Sequence, residues 1–441
     1  MTTVIDRTAV RRPEPASGLA GELAAVGEAL FGGELPVRLK AWDGSETGPL
    51  DAPSLVLRSP RALRRLLWHP GELGLAQAYV TGEIDVEGDL AEGLRRVWAT
   101  ARGRQLDRGG PITMRSLARL APSAFRAVRR AGAFGPPLPP PDSQARLRGR
   151  RHSGRRDRAA IAHHYDLSNE FYALVLDPQM AYSSAYWVSD DPQYTLAEAQ
   201  TDKLDLVCRK LGVRPGQRLL DVGCGWGSLS IHAARYYGAQ VTGITLSAEQ
   251  ASFVRGRVGE LGLERQVEIR LQDYRELSDP EFHAVASLEM GEHVGQANYP
   301  TYAATLRRMV TPGGRVLVQQ MSRGAIAPGG GAFIEAYIAP DMHMRPVGET
   351  VDFLERAGLE VRDVQALREH YVRTVEAWYR TFESRWTEAV ALVGEEVARV
   401  WRLYLVGGGL AFEEGRMGVD QILAVRPHAD GASDMPLLRT F

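Results

Sequence analysis

The stretch LLDVGCGWGSLS, residues 219–230, constrains this chain more than any other. An apolar run ends on Asp221 and passes through Gly223, Gly225 and Gly227 before helical spacing begins. Glycines in such a turn remove the Cβ atoms that would hold a ligand off the backbone, so a strand here feeds a helix across a binding site. A dinucleotide turn reads GxGxxG and a phosphate loop carries a lysine; this turn does neither. An acid before GxGxG suits a ligand with a cationic amino acid head and no phosphates, as in S-adenosylmethionine.

The surrounding pattern predicts strands at 218–222, 240–244, 267–271, 284–288 and 315–319, with helices at 228–237 and 248–261. Strand, glycine turn and helix recur in order, which favours an α/β fold with a mostly parallel sheet. The second strand runs into VTGITLSAEQ, where Thr245 and Gln250 are placed to hydrogen-bond a ribose or adenosine. Beyond residue 351 come a helix, a strand at 359–364, and long helices over 374–386 and 389–405.

A length of 441 residues makes a single domain improbable, and 44% hydrophobic with 24% charged residues is ordinary globular composition. Residues 18–30 have helical spacing, 37–42 and 54–57 alternate like strands, and Pro60 opens an amphipathic helix to His69. The expected division is a smaller mixed α/β domain over 1–130, a Pro- and Arg-rich linker over 131–158, and the larger α/β domain over 159–441. No run approaches the length of a membrane-spanning helix, and the opening MTTVIDRTAVRRPEP lacks the apolar core of a secretion signal, so the expected compartment is the cytoplasm. Two cysteines, Cys208 and Cys224, build neither a disulfide framework nor a thiolate-rich zinc site; no metal is expected.

The net charge of -1 conceals an asymmetry. Residues 95–158 hold 17 Arg, no Lys, 3 Asp and no Glu, a net +14. Such a block suits an anionic surface, whether phospholipid headgroups or nucleic acid phosphates. The alternative is a solvated linker, which the run Pro136, Pro137, Pro139, Pro140 and Pro141 favours.

Several motifs together resemble the cyclopropane-fatty-acyl-phospholipid and mycolic acid cyclopropane synthases. They are HHYDLSNEFYALVLDPQMAYSSAYW from His163, LLDVGCGWG, GITLSAEQ from Gly243, QDYRE from Gln272, EMGEHVG from Glu289 and HYVRTVEAWY from His370. The resemblance spans about residues 160–425, and GLAQAYVTGEIDVEGDL from Gly74 resembles the small amino-terminal domain of the bacterial phospholipid enzymes. It implies a class I (Rossmann-like) methyltransferase domain that moves a methyl group from S-adenosylmethionine to a cis double bond of a phospholipid acyl chain.

The cofactor contacts it implies fall on Tyr182, Ser183, Asp221, Gly223, Cys224, Gly225, Gly227, Thr245, Leu246, Gln250 and Tyr274. It also implies a bicarbonate as base, held by a cysteine, a glutamate, a histidine and a tyrosine. The glutamate and tyrosine are Glu292 and Tyr371; Ser184 and Gln319 stand where the cysteine and histidine are usual. Neither replacement ionises near pH 7. Aromatic candidates for stabilising a carbocation are Tyr186, Trp187, Tyr371 and Trp378.

With the pocket altered, a methylene- or methyl-branched chain is the favoured product and a cyclopropane the alternative. The expected setting is the inner face of the membrane, with the acyl chain as partner and no nucleic acid. That leaves room for a homo-oligomer and for a separate reductase acting on a methylene product. A small-molecule O- or N-methyltransferase would share the glycine turn without needing the other motifs, and a silent lipid-binding protein would not need Glu292 and Tyr371.

Overall fold

The computed structural model describes residues 18–31, 33–108, 125–146, 156, 168–324, 330–439 and 441. Residues 163–167 of the long opening motif, and 109–124, 147–155 and 157–158 of the basic block, lie outside these. The chain divides into two units, Met1–Pro141 and Asp142–Phe441.

In the first unit, helical spacing of apolar residues gives α1 (Leu19–Phe31), and short alternating runs give β1 (Arg38–Lys40), β2 (Glu46–Thr47) and β3 (Ser54–Leu57). Pro60 begins α2 (Pro60–Trp68), where its fixed φ suits the first turn and its missing N–H leaves nothing unsatisfied. Then follow α3 (Glu72–Val80), β4 (Ile84–Glu87) and α4 (Leu90–Arg108). The sheet order is β2-β1-β3-β4, with only β1 and β3 parallel. Leu39, Leu57, Leu63, Ala78 and Ile84 form its core, beside which a buried Arg65 pairs with Glu83 at 2.7 Å.

Of residues 131–158, those up to Pro139 make contacts within the first unit and Ser143 and Ala145 within the second. Ala131 and Ala133 belong to the first core, and the carbonyls of Ala133, Gly135 and Pro139 accept from Arg64, Trp68 and Arg65. Ser143 N donates to Glu396 at 2.7 Å and Ala145 N to Ala336 O at 2.8 Å within the second unit. Donors on α2 thus satisfy the carbonyls of a proline-rich segment that has few N–H groups of its own.

The second unit begins with α5 (Asn169–Val175) and α6 (Leu196–Leu211), the latter opened by a capping box between Thr195 and Glu198. It continues as β5 (Arg218–Val222), α7 (Ser228–Tyr237), β6 (Gln240–Thr245), α8 (Ala248–Glu260), β7 (Val267–Leu271) and β8 (Phe282–Leu288). Next come α9 (Gly291–Val294), α10 (Tyr299–Met309), β9 (Val310–Arg323), α11 (Val347–Arg356) and β10 (Glu360–Ala366). The unit closes with α12 (Arg368–Ser384), α13 (Trp386–Glu413) and β11 (Met417–Val425).

Seven strands run in the order β10-β11-β9-β8-β5-β6-β7. Strands β9, β8, β5, β6 and β7 are mutually parallel, and β11 is antiparallel to both its neighbours. The continuous apolar character of β5 follows from burial on both faces: Leu219 packs in one layer with Leu204, Leu229 and Val254, Leu220 in the other with Val285, Leu306 and Leu354. Parallel alignment brings the carboxyl ends of β5, β6 and β8 to one edge, where open α/β sheets bind ligands. Over that edge lies an aromatic cluster in which Phe171 and Tyr172 of α5, Trp378 of α12 and Trp401 of α13 join Trp226 of the turn between β5 and α7. Among the described residues no helix is long and apolar enough to cross a membrane.

Candidate active site

A cavity opens at the carboxyl ends of β5, β6 and β8. Its lining includes Tyr182, Ser183, Asp221, Gly223, Cys224, Gly225, Thr245, Leu246, Gln250 and Tyr274, all singled out from sequence. Gly227, the remaining one, shapes the turn from behind: a Cβ there would lie 2.5 Å from Val254. All three turn glycines have positive φ, at 82°, 53° and 79° for Gly223, Gly225 and Gly227. A Cβ on Gly225 would meet no protein atom within 4 Å. Packing thus demands glycine at Gly223, where a Cβ would lie 2.9 Å from Met290, and at Gly227, while Gly225 leaves the turn bare on its open side.

Asp221 is buried and accepts a hydrogen bond from Ser230 Oγ at 2.7 Å. Burial pushes its carboxyl up to about 6, against the pull of Ser230 and Lys203. A cationic ligand group beside it would restore the ionised form. On the neighbouring strand, Thr245 Oγ1 donates to Gln250 Oε1 at 2.8 Å, and Ser247 caps α8 by accepting from Gln250 N. These fix a neutral polar wall suited to a ribose. Burial drives the thiols of Cys208 and Cys224 above their ordinary values, which removes them as nucleophiles.

Ser184, Gln319 and Tyr371, expected around a bicarbonate, converge on a side chain that the sequence reading passed over. Glu289 Oε1 accepts from Ser184 N at 2.7 Å and from Gln319 Nε2 at 2.9 Å, while Oε2 accepts from Tyr371 Oη at 2.7 Å. Gln421 Nε2 donates to Gln319 Oε1 at 2.9 Å and so fixes which end of that amide faces the carboxylate. Burial raises the Glu289 carboxyl above its usual range, opposed by the bonds from Tyr371, Ser184 and Gln319 and by the charge of Lys203. Glu289 lines the cavity and holds φ of 51°, an uncommon conformation for a residue other than glycine. One signal in the chain marks it: an acid directly after a parallel strand, where ligands bind.

Glu292 is not part of this convergence. It is fully buried, one carboxylate oxygen accepts from Met321 N, and the other has no partner among the described residues. Burial first, then the charge of Glu289, pushes its carboxyl up to about 8.

An aromatic wall adjoins Glu289. Trp378 stacks 5.4 Å from Tyr182 and 6.0 Å from Tyr371, whose other face meets Phe412 at 4.5 Å. Tyr186 packs instead on His370, and Trp187 donates to Thr374 with Arg373 over its ring.

A parallel sheet whose first strand ends on an acid and a bare glycine turn, with a cavity across the adjoining strand ends, defines the class I methyltransferases. The mycolic acid cyclopropane synthetase family matches residues 152–422. A protein named "probable fatty acid methyltransferase" in Pseudomonas putida is 38% identical over 425 residues, covering 95% of this chain and 98% of its own. A protein of the same description in Mycobacterium tuberculosis is 37% identical over 414 residues, covering 92% and 94%. The solved structure of a mycolic acid cyclopropane synthase complexed with SAH and CTAB superposes with a TM-score of 0.57 at 32% identity, over 60% of this chain and 97% of that one. The chain belongs to the mycolic acid cyclopropane synthetase family of S-adenosylmethionine-dependent methyltransferases.

Proposed function

We propose that this enzyme methylates a cis double bond within an unsaturated acyl chain of a membrane phospholipid, leaving a methylene-branched chain, which a separate reductase would have to supply with hydride to give a methyl branch. The observation that carries the reading is the Glu289 carboxylate, held by Ser184, Gln319 and Tyr371 between the cofactor cavity and an aromatic wall. S-adenosylmethionine, when bound, supplies an electrophilic methyl group and a good leaving group. Asp221 suits its ammonium and the bare turn its amino acid backbone, while Thr245 and Gln250 suit its ribose.

An alkene that accepts a methyl cation leaves a carbocation on the adjacent carbon, and the chain must keep water away from it. Tyr182, which lines the cavity, would do so with Trp378 and Tyr371 packed behind it, and aromatic rings also stabilise positive charge. One proton must then leave. Glu289 receives it: three hydrogen bonds hold its carboxylate in place. If a hydride first shifts from the methyl-bearing carbon to the cationic one, loss of a methyl proton gives a methylene branch on the chain. If the proton leaves without that shift, the ring closes. Relatives named fatty acid methyltransferases match along nearly the whole chain, which favours the first outcome.

The site for the lipid surface belongs to the first unit. Trp68, Phe125 and Phe134 are 49%, 56% and 43% exposed. Phe125 and Phe134 stack at 5.1 Å, and Trp68 Nε1 donates to Gly135 O at 3.0 Å, so the three rings share one patch. Arg126 and Arg129 lie beside Phe125 on the exposed helical turn 125–130. Aromatic rings flanked by arginine suit an interface of acyl chains and anionic headgroups.

Expression in a bacterium rich in monounsaturated phospholipids, with mass spectrometry and proton NMR of its fatty acids, tests the reading. Vinylidene protons on a chain heavier by one carbon are expected; ring protons would assign the cyclopropane outcome, and unchanged lipids would refute lipid methylation.

A further inference from the structure

Lys203 is the one fully buried ammonium beside the cavity among the described residues, and the mechanism above leaves it without a task. It projects from α6 and donates to Ser183 Oγ at 2.7 Å, its single hydrogen bond among the described residues. The carboxylates that face it are Asp177, Asp221 and Glu289. Each already has donors of its own: Gln179 N and Ala181 N on Asp177, Ser230 Oγ on Asp221, and three groups on Glu289. Burial outweighs their attraction and lowers the Lys203 ammonium to about 8. A buried cation with unused donors, tied to no carboxylate, has another purpose than an ion pair.

Its contact with Ser183 indicates which purpose. An ammonium can only donate, so the Ser183 oxygen accepts from it and the hydroxyl hydrogen is left for a different acceptor. The backbone of that segment cannot turn away, because Gln200 Nε2 holds Ser183 O at 2.9 Å and Ala181 O at 3.2 Å. Ser183 lines the cavity together with Asp221. The cavity therefore presents an acid and, close by, a hydroxyl donor backed by a positive charge. An α-amino acid head is a zwitterion that matches this pair, whereas Thr245 and Gln250 at the other strand end are neutral.

We propose that Lys203 is a positioning residue that fixes Ser183 as a donor to the α-carboxylate of the cofactor and neutralises that carboxylate through it. This rests on the reading that S-adenosylmethionine occupies the cavity. Calorimetry of the full chain with S-adenosylhomocysteine and with 5′-methylthioadenosine, which keeps the adenosine and sulfur but lacks the amino acid head, tests it. Lys203→Met and Ser183→Ala should each weaken S-adenosylhomocysteine about ten- to a hundredfold, as for loss of a charge-assisted hydrogen bond, and leave 5′-methylthioadenosine within about twofold. The double variant should lose no more than the worse single one, because one residue acts through the other. Unchanged S-adenosylhomocysteine affinity, equal loss of both ligands or additive losses would overturn the proposal. Should Lys203→Met fail to fold, Lys203→Gln takes its place in the same comparison and in the double variant. A wild-type protein that binds neither ligand would instead refute the cofactor cavity itself.

Discussion

Glu289 and Glu292 stand three residues apart after β8, yet their surroundings give them different chemistry. Glu289 has three donors and a nearby ammonium that favour its anion; Glu292 has one donor, an unpaired oxygen and a carboxylate neighbour that favour its acid. Glu289→Gln keeps the shape but cannot accept a proton, so turnover should fall about a hundredfold or more while S-adenosylhomocysteine affinity stays within a few-fold. A near-normal rate would remove Glu289 from the reaction. Glu292→Gln should show itself in stability. The folded value near 8 lies above the ordinary 4.5, so the native state retains a proton that the unfolded chain releases. That contribution is complete below 4.5 and is lost as pH rises towards 8. The melting temperature of Glu292→Gln relative to wild type should therefore climb between about pH 5 and pH 8.5; a flat difference would contradict the assignment. The resemblance singles out Ser184, Gln319 and Tyr371 by their positions in the chain. Glu289 opens the EMGEHVG motif, but its role is not legible there, since its donors come from positions 30 to 105 residues away and meet only in the fold.

Among the elements, β5, α7 and β7 have the bounds that periodicity predicts, because strand and helix there alternate with clear glycine punctuation. Others extend further than local signals indicate, α12 among them, which opens at Arg368 and not at 374. Strand β9 begins at Val310, which pairs with Phe282; the register with β8 then shifts across Pro312, Gly313 and Gly314, which alone read as a turn, and pairing resumes at Arg315. Helix α13 runs past Leu405 through three consecutive glycines to Glu413; it packs on α12, and a Cβ at Gly409 would come within 3.4 Å of Val375. Tertiary packing there overrides helix propensity. The turn between β5 and α7 has the opposite character, set by φ and by the ligand. Gly225→Val would place a branched side chain in open cavity at a φ of 53°, costing about 1–2 kcal/mol in backbone strain. The melting temperature should fall by only a few degrees, while binding of S-adenosylhomocysteine should drop by more than about a hundredfold. Retained affinity would displace the ligand from this turn.

At the scale of the whole molecule, the net +14 of residues 95–158 is visible in composition, but the apolar half of the proposed membrane site is not. Trp68 and Phe134 are 66 positions apart, and only the fold of the first unit brings them together through Gly135. Charge and rings make separable contributions to bilayer binding. Arginines near an anionic surface add about 1 kcal/mol each and fade as salt shortens the screening length. Buried ring area is insensitive to salt. Co-sedimentation with phosphatidylglycerol vesicles should therefore weaken from about 0.1 M to 0.5 M salt yet stop short of zero. Phe125→Ser with Phe134→Ser should abolish that salt-resistant remainder, and Arg126→Glu with Arg129→Glu should flatten the salt dependence. All four side chains are exposed, so the fold of the first unit should survive these changes. If turnover on vesicles falls with binding while turnover on a detergent-dispersed unsaturated lipid does not, the first unit acts by delivering the catalytic unit to its substrate. Vesicle binding indifferent to both pairs of changes would place the membrane contact elsewhere in the chain.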